Sequence, residues 1–153
     1  SRQSDVAISF EDSISISGNS GPYLQYTYAR TQSVLGKLQI TNYKLQINSK
    51  LKTPTFAKAS AGKQNSKLEE EELLILRSLI HFSEIVEEAE ENFAPNVLCN
   101  YLFELSQKFN NFYQKHKILQ SKNREFRLQL TSAVGQVLKT GLYLLGIESP
   151  EKM

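Results

Sequence analysis

The segment from Pro95 to Phe112 restricts the fold more than any other. Leu98, Leu102, Leu105, Phe109 and Phe112 recur at spacings of 4, 3, 4 and 3 residues. That pattern puts all five side chains on one face of an α-helix and cannot put them on one face of a strand. Pro95 suits the first helical turn, where its missing N–H has no intrahelical acceptor to lose. The spacing predicts a helix over about 95–117. After a loop at Gln120–Asn123, a second helix is expected over about 123–145, with Leu130, Val134, Val137, Leu138 and Leu145 inward. Gly135 and Gly141 lie inside it; each costs roughly 1 kcal/mol in a helix interior, so each is expected to permit a close helix contact. Gly146 is placed for a left-handed cap, and Pro150 prevents continuation.

The same period continues upstream. LEEEELLILRSLIHF, from Leu68, opens with four Glu near the positive end of a helix dipole. Leu73, Leu76, Leu79 and Ile80 make its expected inner stripe. Ser83 is read as a break before a shorter helix with Ile85, Val86 and Ala89 inward. In Gly18–Leu38, Ser20 is a candidate cap, Pro22 suits the first turn, and Leu24, Tyr28, Thr31 and Leu35 recur near the helical period, with Gly36 as the expected stop. Between these lies KLQITNY followed by KLQINSK, a near-duplicate whose alternation allows a small hairpin, and then a Lys-, Ser- and Thr-rich stretch without apolar period. Residues 1–20 allow brief strands or irregular extended chain. The fold expected is all-α, an antiparallel helical bundle with short connections. It divides as 1–36, the end of an upstream region with a connecting helix; 37–67, a lysine-rich insertion or linker; and 68–153, the helical domain proper.

About 40% of the 153 residues are apolar, enough for a core in a chain of this size. No run of 18 apolar residues occurs, so no membrane span is expected, and no signal-peptide apolar region opens the chain. A single cysteine, Cys99, excludes an internal disulfide and fits a reducing compartment, with a buried thiol as the simplest reading. Ser rather than Met stands first, which fits a piece of a longer protein. Charge is segregated. Residues 36–67 hold seven Lys and no acid, residues 68–104 hold ten Glu against Arg77, and residues 107–139 hold seven Lys or Arg against Glu125. Such separation suits a polyanionic partner for the basic part, although a solvated charged surface has the same composition. His81 and His116 are the only histidines; neither has a second His or Cys at metal spacing, no Gly-rich phosphate cradle follows a strand, and no carboxylate pair stands out for acid–base work.

The chemistry-bearing residues therefore collect around Asn100–Leu119, NYLFELSQKFNNFYQKHKIL. Asn110, Tyr113 and Lys117 fall at i, i+3 and i+7, sharing one flank. A ring can stack on an unpaired base, an amide can read a base edge and a lysine can meet phosphate. Tyr113 could equally be a bundle-edge tyrosine with its hydroxyl in water. Arg127 shares a line with Leu130, Val134 and Leu138, so it must be paired or lie at the bundle mouth; Glu104, a carbonyl or an RNA phosphate could each meet it.

GNSGPYLQYTYARTQSVL, PNVLCNYLFELSQKFNNFYQKHKIL and REFRLQLTSAVGQVLKTGLYLLGIESPEKM resemble, in that order, the C-terminal part of the arginyl-tRNA synthetases. The resemblance covers about 5–36 and 68–153 and leaves 37–67 outside. It implies a class I synthetase joining arginine to its tRNA with ATP and magnesium, and it implies that the helical bundle is the anticodon-binding domain. Tyr113, in the FN–FY motif, and the terminal Met153 are then the expected anticodon contacts, with Asn110, Arg127 and Lys117 beside them. Gln25 of the LQY motif is expected near the arginine pocket of the parent enzyme. The HIGH-like and KMSKS-like signatures are absent from these residues, so the chain alone is expected to have no catalytic residue, no cofactor and no aminoacylation activity. Expected partners are arginine tRNA and the catalytic domain of the same polypeptide, in the cytoplasm, as a monomer. A helical protein-interaction domain using its acidic helix, or a stand-alone tRNA-binding helper, is the alternative.

Overall fold

The computed structural model describes residues 18–40 and 68–153, with Ser9, Glu11, Ile14 and Ser15; of residues 38–40 only the backbone is described. The expected hairpin at 37–50 therefore lies outside the described residues from position 41 on, as do most of the short apolar alternations before Gly18.

Five helices run through the described residues: α1 (Gly21–Ile40), α2 (Glu70–Ile80), α3 (Phe82–Glu91), α4 (Pro95–Lys115) and α5 (Arg124–Leu144). Each begins and ends for a local reason. The Ser20 hydroxyl accepts from the Tyr23 N–H at 3.4 Å at the start of α1. Pro95 opens α4. At the end of α5, Gly146 takes φ +72°, its N–H bonds the Tyr143 carbonyl at 3.0 Å and the Ile147 N–H bonds the Leu142 carbonyl at 2.9 Å. That pair of reversed bonds closes the helix, and Ile147 packs against the core.

Helices α2 and α3, broken at His81, act as one column of an up-down-up-down bundle with α1, α4 and α5. Helix α1 packs mainly on α5, and α2 and α3 mainly on α4. The core is the stripe expected from spacing: Leu102, Leu105, Phe109 and Phe112 are fully enclosed, joined by Val134, Leu138 and Leu142 from α5 and Tyr28 from α1. Tyr101 donates to the Ser78 carbonyl at 2.9 Å, tying α4 to α2, and burial pushes its phenol up to about 12. Cys99 is half-buried, and burial raises its thiol above the ordinary range.

Three expectations are corrected. The break between α2 and α3 falls at His81, and Ser83 lies inside α3. Gly36 does not stop α1, which runs on to Ile40. A Cβ at Gly36 would meet nothing within 4 Å, and a helix passes through an uncrowded glycine at modest cost. The inner face of α2 also differs in part: Leu76 and Leu79 pack against the core as expected, but the enclosed residues are Glu72, Ile75 and Ser78, while Leu73 is 37% and Ile80 74% exposed. A glutamate occupies the core position because it has a partner there, described below.

The interior glycines behave as expected. A Cβ on Gly141 would lie 2.6 Å from two methyl carbons of Leu102, and one on Gly135 would lie 2.7 Å from the Thr31 hydroxyl. Leu102 is fully enclosed and cannot step aside. Gly141→Ala is therefore expected to lower stability by about 1–3 kcal/mol, overpacking outweighing the helix-propensity gain. Gly36→Ala is expected to raise it by about 0.5–1 kcal/mol. Thermal melts of the two variants check the opposite signs.

Candidate nucleic-acid interface

Where α1 and α4 end, their last turns and the loop after α4 enclose a shallow cleft of about 380 Å³, lined by Val34, Lys37, Tyr113, Lys115, His116, Lys117 and Ile118 among others. The α4 backbone turns extended at His116, so Lys117 belongs to the loop rather than to the helix flank on which its spacing placed it. Its side chain is exposed and still lines the cleft beside Tyr113. Ile118, 5% exposed, pins the loop to the core.

Tyr113 is half-buried. The Arg30 guanidinium lies 5.0 Å from its ring centroid and 4.5 Å from that of Tyr26, within the range of cation–π attraction. Arg30 also bonds the Tyr26 hydroxyl. The surface thus carries a tyrosine–arginine–tyrosine stack, with the outer Tyr113 surface facing the cleft. Arg30 and Tyr26 escaped the sequence reading. The signal was there, since Tyr26 and Arg30 stand four apart on one face of a helix, but nothing in the spacing links them to a residue 80 positions later.

Two of the five expected RNA contacts turn inward. Asn110 is buried: its amide N–H group donates to the Tyr23 hydroxyl and the Thr27 hydroxyl, both at 3.0 Å, and its carbonyl accepts from Arg30 at 2.7 Å. Every hydrogen-bonding position it offers along this seam holds α4 to α1, because a buried amide must be satisfied. Arg127 is buried too. Its Nε donates to Glu72 at 2.6 Å and its Nη1 to the Lys117 carbonyl at 3.1 Å. The carboxylate that meets it is Glu72, not Glu104. Lys108 points away from the cleft, donating to the Ser78 hydroxyl at 2.9 Å.

Met153 is 64% exposed at the chain's end. Ile147 lies against Gly21 and Gln25 donates its amide to the Glu148 carbonyl at 2.8 Å, so the start of the tail is held against the first turns of α1. Gln25, expected near an arginine pocket, uses this donor on the tail.

One acid sits among the cleft's cations. Glu71 accepts from Lys115 at 2.7 Å and lies 3.1 Å from His116 Nε2. Lys115 above all, then His116, holds the Glu71 carboxyl down at about 2; in turn Glu71 raises the Lys115 ammonium. His81, by contrast, is exposed at the far end of α2 and pairs with Glu84 of α3. Among the described residues no group of three His, Cys, Asp or Glu could hold a metal ion, and no helix is long and apolar enough to cross a membrane.

The model of the DALR anticodon binding domain matches residues 24–153. The chain belongs to that family. It is 39% identical to an arginine–tRNA ligase of a Cyanothece species over 99% of its own length and 24% of the relative's. It is 37% identical to the arginine–tRNA ligase of Halothermothrix orenii over all of its length and 25% of the relative's. Among solved structures it resembles the arginyl-tRNA synthetase of Thermus thermophilus, with a TM-score of 0.72 and 31% identity over 94% of this chain and 23% of that one. The chain thus spans about a quarter of the length of these relatives. The family match runs through 37–67, the stretch that its composition set apart.

The depressed Glu71 carboxyl has a sign. Its contribution to folding is present above the unfolded value of about 4.5 and is lost as pH falls through about 2. Glu71→Gln is expected to lower the melting temperature above about pH 4.5 and to leave it little changed near pH 2, where the wild-type carboxyl is itself becoming protonated, so that its decline across the acid window is flatter; melts of both proteins between pH 2 and pH 6 check it.

Proposed function

We propose that this DALR domain is the anticodon-binding module of an arginine–tRNA ligase, holding arginine tRNA in the cytoplasm while the rest of a longer polypeptide carries out ATP-dependent aminoacylation. The observation that carries the reading is the Tyr113 ring in the wall of a cleft that Lys37, Lys115, His116 and Lys117 also line. A half-buried ring in a cleft wall with cations around it suits an unstacked base and its flanking phosphates. Arg30, held between two tyrosines, keeps Tyr113 oriented, and its own charge lies beside the base that the ring would receive. Met153, exposed on the tail, supplies an apolar contact to the RNA in this reading. Asn110 and Arg127 act from beneath, as parts of the support. This reading assigns ATP and magnesium to the rest of that longer polypeptide.

An anticodon stem-loop of arginine tRNA tests the reading. Tyr113→Ala is expected to weaken binding roughly 5- to 150-fold, the loss of about 1–3 kcal/mol of stacking, while Tyr113→Phe keeps most of the affinity. Unrelated RNA hairpins are expected to bind more weakly than the arginine one. Equal affinity of the folded Tyr113→Ala variant, or equal affinity for every hairpin, would return the domain to the protein-interaction reading.

A further inference from the structure

We infer that Arg127 is a positioning residue whose role in RNA binding is exerted through the backbone of Lys117; the inference rests on the RNA-binding reading of the cleft. The loop from His116 to Asn123 has no helical ladder to hold it. His116, against Glu71 and the Phe112 ring, and the side chains of Ile118 and Leu119, packed on the core, hold its first half, and at Lys117 itself the bond to its carbonyl comes from Arg127 Nη1 at 3.1 Å. The donor is itself immobilised. Arg127 lies over the Phe112 ring at 5.7 Å, and its Nε is tied to Glu72 Oε1 at 2.6 Å. Glu72 is fully enclosed, and its other oxygen accepts from the Glu69 N–H at 2.9 Å. A chain of directional bonds thus runs from the start of α2, through the first turn of α5, to the one peptide group that aims Lys117 into the cleft.

The chemistry of the pair favours this role over a purely stabilising one. A buried ion pair is often no more stable than apolar residues of the same volume. What a guanidinium adds is a planar fork that donates in two fixed directions at once, here to α2 and to the loop. A lysine at 127 retains the charge for Glu72 but cannot reproduce both directions.

The test is a double-mutant cycle on the whole 153-residue chain, with the arginine anticodon stem-loop as probe, measured well below each variant's melting temperature so that every sample is folded. Arg127→Lys and Lys117→Ala are each expected to weaken binding several-fold and to make the salt dependence shallower by about 0.7, the signature of one lost phosphate contact on a single strand. The double variant is expected to bind no worse than Lys117→Ala alone. Glu72→Gln, which keeps shape and one acceptor, takes the place of Arg127→Lys in the cycle if the latter does not fold, with the same expectation. Losses that multiply, or an unchanged salt slope in the folded Arg127→Lys or Glu72→Gln variant, overturn the positioning role while leaving the cleft's function standing. A wild-type chain that fails to bind the stem-loop removes the RNA reading, and the inference with it.

Discussion

A single enclosed carboxylate, that of Glu72, is the point on which three segments converge. One oxygen satisfies the free N–H at the start of α2 and the other receives Arg127 from the start of α5; through Arg127 it reaches the loop that follows α4. Removing one member of such a pair leaves an uncompensated charge in the core, at a cost of about 3–5 kcal/mol. Replacing both with hydrocarbon could preserve stability but not direction. The pair therefore matters less for how firmly the bundle holds than for how its helix ends are arranged, and those ends form the cleft.

A second polar seam works in the same way on the other side of Tyr113. Tyr23, Thr27 and Arg30 of α1 meet Asn110 of α4. Fully satisfied networks of this kind fix one register, since a shift by one turn would strand several buried groups. The close approach of α1 and α5 at Gly135 complements it, because a side chain there would strike Thr31. Tyr113 is held between the two devices: Arg30 beside its ring, and the loop set by Arg127 on the cleft side. Function and support thus occupy adjacent turns of the same helices, with the supporting groups buried and Lys117 and the outer surface of Tyr113 facing the cleft.

Much of the architecture was legible from periodicity. The Leu98–Phe112 stripe, the Pro95 start, the Gly146 cap and the close contacts at Gly135 and Gly141 all follow from local rules. Misreadings fell where a polar residue sits inside. Glu72, Ile75 and Ser78 are the enclosed residues of α2, and only Leu76 and Leu79 of the leucine stripe that hydrophobicity suggested pack on the core. Asn110, expected on a flank shared with Tyr113, is buried and bonded to α1, and Arg127, expected either paired or at the bundle mouth, is buried and paired. Lys117 was placed by helical arithmetic on a flank, yet α4 had already ended. Gly36 had the composition of a stop without the crowding or backbone conformation that would have made it one.

What the sequence alone determined is that the chain is helical, where α4 begins and α5 is capped, and which face of α4 and α5 is apolar, because those depend on residues within a turn or two of each other. The same local motifs carried the resemblance to the synthetases. Only the tertiary structure decided which charged and amide side chains are inside. A buried polar group is tolerated only with a partner, and these partners lie 55 residues away for Arg127 and 80 for Asn110. No local pattern announces a partner at that distance; the packing of one helix against another creates it.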